Sequence, residues 1–293
     1  MRITTGMMVD RLMNHIQKAQ RGISRFQNQM ASGRSIINPH DDPVGTASIM
    51  RLESGLKEIE WFRKSSEDAM GWISYGEDAV MRCLDLTHEL RELMIQAASD
   101  TIPQESRVGI ARQVLVIRDH IKDLANSAYD GRYIFAGHRT TEPPFSLDAD
   151  GMAQYHGDGG EQVRVVGPGL KIPVNLPGDE VFSGLLNLAQ VTAGDILAGD
   201  YETVGGDRLG DLDGEMENLL NHVATLGARY SRVDLSLSRV KEMEISFTSL
   251  YSQTADADLA RVSIDLRMAE TVYQAALTAT ARVLQPGLHE LLR

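Results

Sequence analysis

The chain has 293 residues, enough for one large or two to three small domains, and its 29 Lys+Arg against 41 Asp+Glu give a net charge of −12. That balance argues against nucleic acid and against an anionic membrane surface as partners. The one cysteine, Cys83, excludes an internal disulfide and a cysteine-based zinc cluster, and the 5% aromatic content suits thin helical bundles better than a thick core.

In chain order, Val9, Leu12, Ile16, Ala19, Ile23, Phe26 and Met30 step by three and four residues, which keeps one apolar seam of a helix facing a partner. Gly33 is a stop signal, since glycine tolerates the left-handed conformation after a helix. Asp42 is placed to cap a second helix, with Pro43 at its first turn where a missing N–H costs nothing. That helix is expected to run to about Ser99 on a seam of Ile49, Leu52, Leu56, Ile59, Met70, Ile73, Val80 and Leu84, beside which Cys83 reads as a small buried side chain. Gly55, Gly71 and Gly76 each cost about 1 kcal/mol relative to alanine, so tertiary contacts must hold it. A third helix starts near Thr101–Gln104, whose spacing resembles a capping box. It carries Ile110, Val114, Ile117, Ile121, Leu124 and Ala128, and ends at Gly131.

From Gly137 to Gly210 the character changes: this stretch holds 14 of the 26 glycines and 5 of the 9 prolines. Met152–His156 and Gln162–Val166 flank Gly157-Asp158-Gly159-Gly160, which predicts a hairpin turn, and Leu170–Val174 predicts a third, edge strand. Phe182–Leu197 is open between helix and strand. A fourth helix follows Asp211-Leu212-Asp213 with Leu219, Val223, Leu226, Tyr230, Val233, Leu237, Val240 and Phe247 on its seam. The last helix uses Leu259, Val262, Leu266, Ala269, Tyr273, Ala276, Thr280 and Val283, one residue out of phase with the register before it. The jump predicts a boundary across Tyr251–Leu259 where the helix changes partners.

The expected fold is therefore mainly α with a small β-rich insert: a long antiparallel helical bundle or coiled coil formed by both chain ends around a central β domain. Its divisions are residues 1–42 plus 256–293, a terminal coiled coil; 43–136 plus 211–255, a helical bundle; and 137–210, an outer insert that a short Gly/Ser bridge over about 141–207 should replace. Nothing beside either terminal helix in sequence covers its seam, so Val9, Leu12, Ile16, Ile23, Phe26, Met30, Leu259, Val262, Leu266, Tyr273 and Val283 are the candidate assembly interface.

Signals for chemistry are weak. Asp148-x-Asp150-Gly151 and Asp211-x-Asp213-Gly214 open like calcium loops, but Ala153 and Gly159 in the first and His222 in the second stand where the loop needs Gly or Glu. The glycines of 157–160 lack the Lys-Ser/Thr and the helix of a phosphate loop, and Asp41-Asp42 beside His40 is explained by helix capping. Tyr155, His156, Asp158 and Glu161 lie near one turn with a spacing that names no reaction. No catalytic residue, metal or cofactor is expected. No run of about 18 apolar residues is visible, so no membrane span is expected either. MRITTGMMVDRL lacks the zones of a secretory signal, which leaves another export route.

Four motifs carry a family resemblance. The stretch Met30-Ala31-Ser32-Gly33-Arg34-Ser35-Ile36-Ile37-Asn38-Pro39-His40-Asp41-Asp42-Pro43-Val44-Gly45 resembles the signature shared by flagellins and hook–filament junction proteins. Ala255-Asp256-Ala257-Asp258-Leu259, an Ala-rich heptad helix and Leu291-Leu292-Arg293 resemble the matching C-terminal end. The opening Met1-Arg2-Ile3-Thr4-Thr5 and the segment Gly131-Arg132-Tyr133-Ile134-Phe135-Ala136-Gly137, with Thr140 and Pro144-Phe145 after it, are similar to the junction branch rather than to flagellins. The resemblance covers about 1–145 and 211–293. Thr280 in the terminal seam and Pro286-Gly287 before Leu288 depart from it.

The resemblance implies a non-enzymatic, secreted adaptor of the bacterial flagellum, exported through the flagellar type III channel without a cleaved signal peptide. It implies a ring of copies of itself between hook-associated protein 1 and flagellin, and a cytoplasmic export chaperone. A minor flagellin forming the filament itself is the alternative. No cofactor, nucleic acid or membrane is implied.

Overall fold

A computed structural model describes residues 5–100 and 102–284. The described chain is dominated by helices, with three short hairpins between the third and fourth of them. It groups into two compact units: Met1–Glu58 with Glu244–Arg293, and Ile59–Met243.

The first unit contains helix α1 (Thr5–Ser32), the start of α2 (Pro43–Ala97), the end of α6 (Leu209–Ala255) and α7 (Leu259–Leu284). The start of α2 is coded locally. Asp42 Oδ1 accepts the N–H groups of Val44 at 3.1 Å and Gly45 at 2.9 Å, two donors that the first turn of a helix leaves free. The out-of-phase seam also marks a real break: α6 stops at Ala255, and Asp258 Oδ1 caps α7 through the N–H groups of Ala260 and Arg261 at 3.0 and 3.2 Å.

The second unit holds one contiguous core. α2 contributes Ile73, Val80, Leu90 and Met94, α3 (Gln104–Ala125) contributes Ile110, Val114 and Ile121, and α6 contributes Leu212, Leu219, Leu226 and Val233. Cys83 lies fully buried among them, and burial pushes its thiol up to about 12. α3 begins after Pro103 with no side-chain cap, so Gln104 does not act in a capping box, and Thr101 lies outside the described residues. The helix stops at Ala125 rather than Gly131. Ala128 and Gly131 belong instead to a tight hairpin of β1 (Ala128–Tyr129) and β2 (Arg132–Tyr133).

The strand pairing differs from the expected one. β3 (Phe145–Leu147) pairs with β4 (Ala153–Tyr155), and β5 (Val163–Gly167) pairs with β6 (Leu170–Pro173); residues 157–160 join the two hairpins and turn neither. The reason lies in Asp148. Its Oδ1 accepts from Asp150 N at 3.0 Å and Met152 N at 2.8 Å, a side-chain-stabilised turn that folds β4 back on β3. The apparent calcium-loop opening at Asp148–Gly151 is this turn.

Phe182–Leu197 is helical: a wide turn over Asp179–Ser183 leads into α4 (Gly184–Ala198), which packs against α3. Leu185, Leu186, Ala189 and Ala193 of α4 join Phe135, Phe145, Ile172 and Phe182 in the same core as the long helices. Asp179–Ala198 is long and apolar enough to cross a bilayer, contrary to the sequence expectation; half of it is buried inside the protein, as befits a core helix. A minor connection, α5 (Tyr201–Thr203), leads on to α6.

Candidate assembly interface

The terminal helices α1 and α7 pack on each other. Their direction is antiparallel, because the end of α1 is tied to the start of α7. Gly33, at φ 68°, ends α1 in the left-handed region, and its carbonyl accepts Ala257 N at 2.8 Å, while Ser35 N donates to Ala255 O at 2.8 Å. Ser35 Oγ adds a bond to Thr254 O at 3.0 Å, and the buried Gln29 side chain donates to Ser35 O at 2.6 Å. Nearby, the Tyr251 hydroxyl donates to Glu53 Oε1 at 3.1 Å, and burial together with that carboxylate raises its pKa.

The predicted interface residues take three positions. Val9, Leu12, Ile16, Ile23 and Phe26 of α1 and Leu266 and Tyr273 of α7 are half-buried, and Val262 is buried. These form the inner faces of the helix pair, so the seam is covered within the chain. Met30 and Leu259 are exposed, at 43% and 50%. The side chain of Val283 lies outside the described part of the molecule. Thr280, the polar member of the seam, is buried and donates its hydroxyl to Ala276 O at 2.7 Å, so its polarity is satisfied one turn back.

A second apolar line on α7 is absent from the sequence reading. Ile264, Met268 and Val272 are 62%, 63% and 55% exposed, and the exposed Ala275 and Ala279 continue their line. The signal was present as a repeat of large apolar residues every fourth position, hidden behind the stronger 3-4 seam. Met7, Met8 and Met13 on α1 are exposed as well. A soluble helix that buries one stripe ordinarily shows polar groups elsewhere; this pair instead presents apolar side chains outward, the surface expected of a subunit that packs on others.

The polar clusters do structural work. Asp158 accepts the N–H groups of His138 at 2.7 Å and Gly160 at 3.0 Å, which hold its carboxyl below the usual range. Tyr155 donates to Phe135 O at 2.9 Å, and His156 Nε2 lies 2.7 Å from Ser146 Oγ. Asp213 pairs with Arg91 at 3.0 Å. Among the described residues, no group of three His, Cys, Asp or Glu side chains is arranged to hold a metal ion.

Comparison with known proteins agrees with the geometry at both ends. Residues 3–140 match the bacterial flagellin N-terminal helical region, and residues 209–292 match the bacterial flagellin C-terminal helical region. Flagellar hook-associated protein 3 of Salmonella typhimurium is 27% identical over 190 residues, which cover 64% of this chain and 59% of that protein. The chain thus spans 59% of the length of that relative. A flagellin of Listeria innocua is 20% identical over 302 residues, covering 97% of this chain and 96% of the flagellin. A solved flagellar hook-associated protein of Vibrio parahaemolyticus shares the fold with a TM-score of 0.68 at 18% identity, covering 74% of this chain and all of that one. The matched regions hold most of the residues of the four motifs, and the chain belongs to the bacterial flagellin family.

Proposed function

We propose that this protein is a structural adaptor subunit of the bacterial flagellum, joining the hook, through hook-associated protein 1, to the flagellin filament. The observation that carries the reading is the antiparallel α1–α7 pair with its outward apolar line Ile264, Met268 and Val272, at the two ends that match the flagellin family. Burying one such side chain between copies is worth about 1.5–3 kcal/mol, so a ring of copies gains many such contributions. In this reading the terminal pair (1–42 with 256–293) lines an inner tube, the bundle (43–136 with 211–255) forms a layer outside it, and 137–210 faces outward. The adaptor carries out no reaction and leaves the cell through the flagellar type III channel, escorted by a cytoplasmic chaperone, to act outside. Its similarity to hook-associated protein 3 supports the junction role over that of a filament subunit.

Deleting the gene tests this. A junction adaptor leaves cells without filaments and with flagellin shed into the medium. Filaments that persist with altered composition would identify a flagellin, the role that the full-length similarity to the Listeria protein favours.

A further inference from the structure

We propose that the exposed cationic row of α1 in one copy of this chain seats on the acidic groove between α2 and α3 of another copy. This rests on the adaptor reading and names the contact that ties its inner tube to the layer outside. Between Asp10 and Asp41 no carboxylate side chain occurs, in a chain that has 41 Asp+Glu. Arg11, Lys18 and Arg25 recur there every seventh residue, about 10.5 Å apart on one side of the helix, and all three are exposed outside the seam. Arg21 stands beside them, also exposed. None of the four joins an ion pair among the described residues, and Asp10 is the one carboxylate of α1. On the partner helix α7, Arg261, Arg267 and Arg282 outnumber Asp265 and Glu270.

The groove carries the complement. It consists of two hollows of about 400 and 460 Å³ that share His120, continued by a smaller one of about 80 Å³ beside Asp78. Asp78, Asp85 and Glu92 recur along its α2 edge every seventh residue, all exposed, with the exposed Glu89 between the last two. None of these four carboxylates joins an ion pair among the described residues. Arg82 is the one guanidinium in the lining; on α3, Arg112 is exposed outside it, and Lys122 pairs with Asp123 at 3.5 Å. Carboxylates therefore stay in excess along the α2 edge. The floor is apolar, with Leu86, Leu93, Val116 and Leu124.

The two rows share one period and one length, so three charge pairs form together whichever way the helices run. Lysine and arginine lay their methylene stems on apolar surface and keep the charged head at its edge, which suits an apolar floor with an acidic rim. In a chain of net charge −12 most surfaces repel their like, so a row without carboxylates against this rim is a pairing in which copies attract. Every copy that brings a groove also brings a row. The two are different surfaces, so their contact is heterologous and generates rings or tubes rather than a closed two-fold dimer.

A charge exchange tests it. Arg11→Glu, Lys18→Glu and Arg25→Glu together should cut flagellin retention on cells at least tenfold. Adding Asp78→Lys, Asp85→Lys and Glu92→Lys to the same chain should restore most of it. Failure of the six-site variant to recover retention, with its fold and export intact, overturns the proposal. Cross-linking gives a second readout that leaves both rows unaltered. Asn14→Cys and His88→Cys, beside the two rows and both exposed, are placed together in the full chain, expressed as the sole copy. The native Cys83 is buried and does not compete. Flagella treated with a short bismaleimide should give a ladder of dimers, trimers and higher species, and cells that make the two single variants together should give dimers and nothing larger. A double variant that supports filaments without a ladder overturns the proposal, as does a link formed only within one chain. Either result leaves the adaptor reading standing, whereas a deletion strain that keeps its filaments strikes that reading itself.

Discussion

The backbone carbonyl of Asp158 lies against Gly137, inside the space that a Cβ at position 137 would fill, with Gly137 itself at φ 65°. The same aspartate receives the neighbouring His138 N–H at 2.7 Å, and its own N–H donates to Ala136 O at 3.3 Å. The motif that ends in Gly137 is thereby clasped by the loop 157–160. Gly137→Ala should destabilise the protein by about 2–5 kcal/mol, since a left-handed alanine costs roughly 1–2 and forcing atoms into a packed site costs about 1–3. The urea midpoint of the purified variant measures it; a change below about 1 kcal/mol would show that the loop yields freely.

The Asp158 carboxyl predicts a pH dependence. Its pKa is lowered in the folded protein by the N–H groups of His138 and Gly160. The stabilisation is therefore present above the ordinary aspartate value of about 3.9 and is lost as pH falls through the lower folded value. Asp158→Asn should lower the urea midpoint at neutral pH, and the gap to the unaltered protein should close in acid. A gap that widens below pH 4 would contradict the assignment.

Cys83 should resist thiol reagents. Its side chain is fully buried and its pKa is pushed up to about 12, so the reactive thiolate is absent near neutrality. Labelling with a maleimide should proceed only as fast as the unit opens and should accelerate through the urea transition. Prompt labelling of the native protein would place Cys83 at the surface.

Replacing about residues 141–207 by a short Gly/Ser bridge should abolish cooperative unfolding. The bridge removes Phe145, Ile172, Phe182, Leu185 and Leu186 from the core and uncovers the face of α3 on which α4 packs. Losing one such large side chain costs about 2–5 kcal/mol, so the sum exceeds the stability of an ordinary domain. This reverses the expectation drawn from glycine and proline content. A bridged variant with an unchanged melting temperature would restore that expectation.

The sequence discloses those features whose physics is local. Asp42 and Pro43 set the start of α2 within four residues, and the register slip between Phe247 and Leu259 falls where α6 ends at Ala255 and Asp258 caps α7. The inner faces of α1 and α7 were legible for the same reason, as an unbroken 3-4 repeat. Strand pairing depends on partners far along the chain. Gly157–Gly160 looked like the better turn, yet the carboxylate of Asp148 closes β3 on β4 first. α4 was ambiguous because Leu185, Leu186, Leu188 and Ile196 face a core on most sides, which removes the helical period. The outward line Ile264–Val272 was missed because a repeat every fourth residue is read as part of the seam until the structure shows which side faces α1.

Met268→Asp is the most direct test of the central claim, that this chain joins hook to filament by packing its terminal helices on neighbouring copies. Met268 is 63% exposed on α7, so a carboxylate there leaves the isolated protein with unchanged helix content and melting temperature. Placed between copies it buries an unpaired charge, which costs several kcal/mol. The measurement is the ratio of flagellin in the culture medium to flagellin retained on cells that make only this variant. The account predicts normal export of the variant, few or no attached filaments and flagellin accumulating in the medium. Filaments at normal number and length, with the variant present at their base, would contradict it.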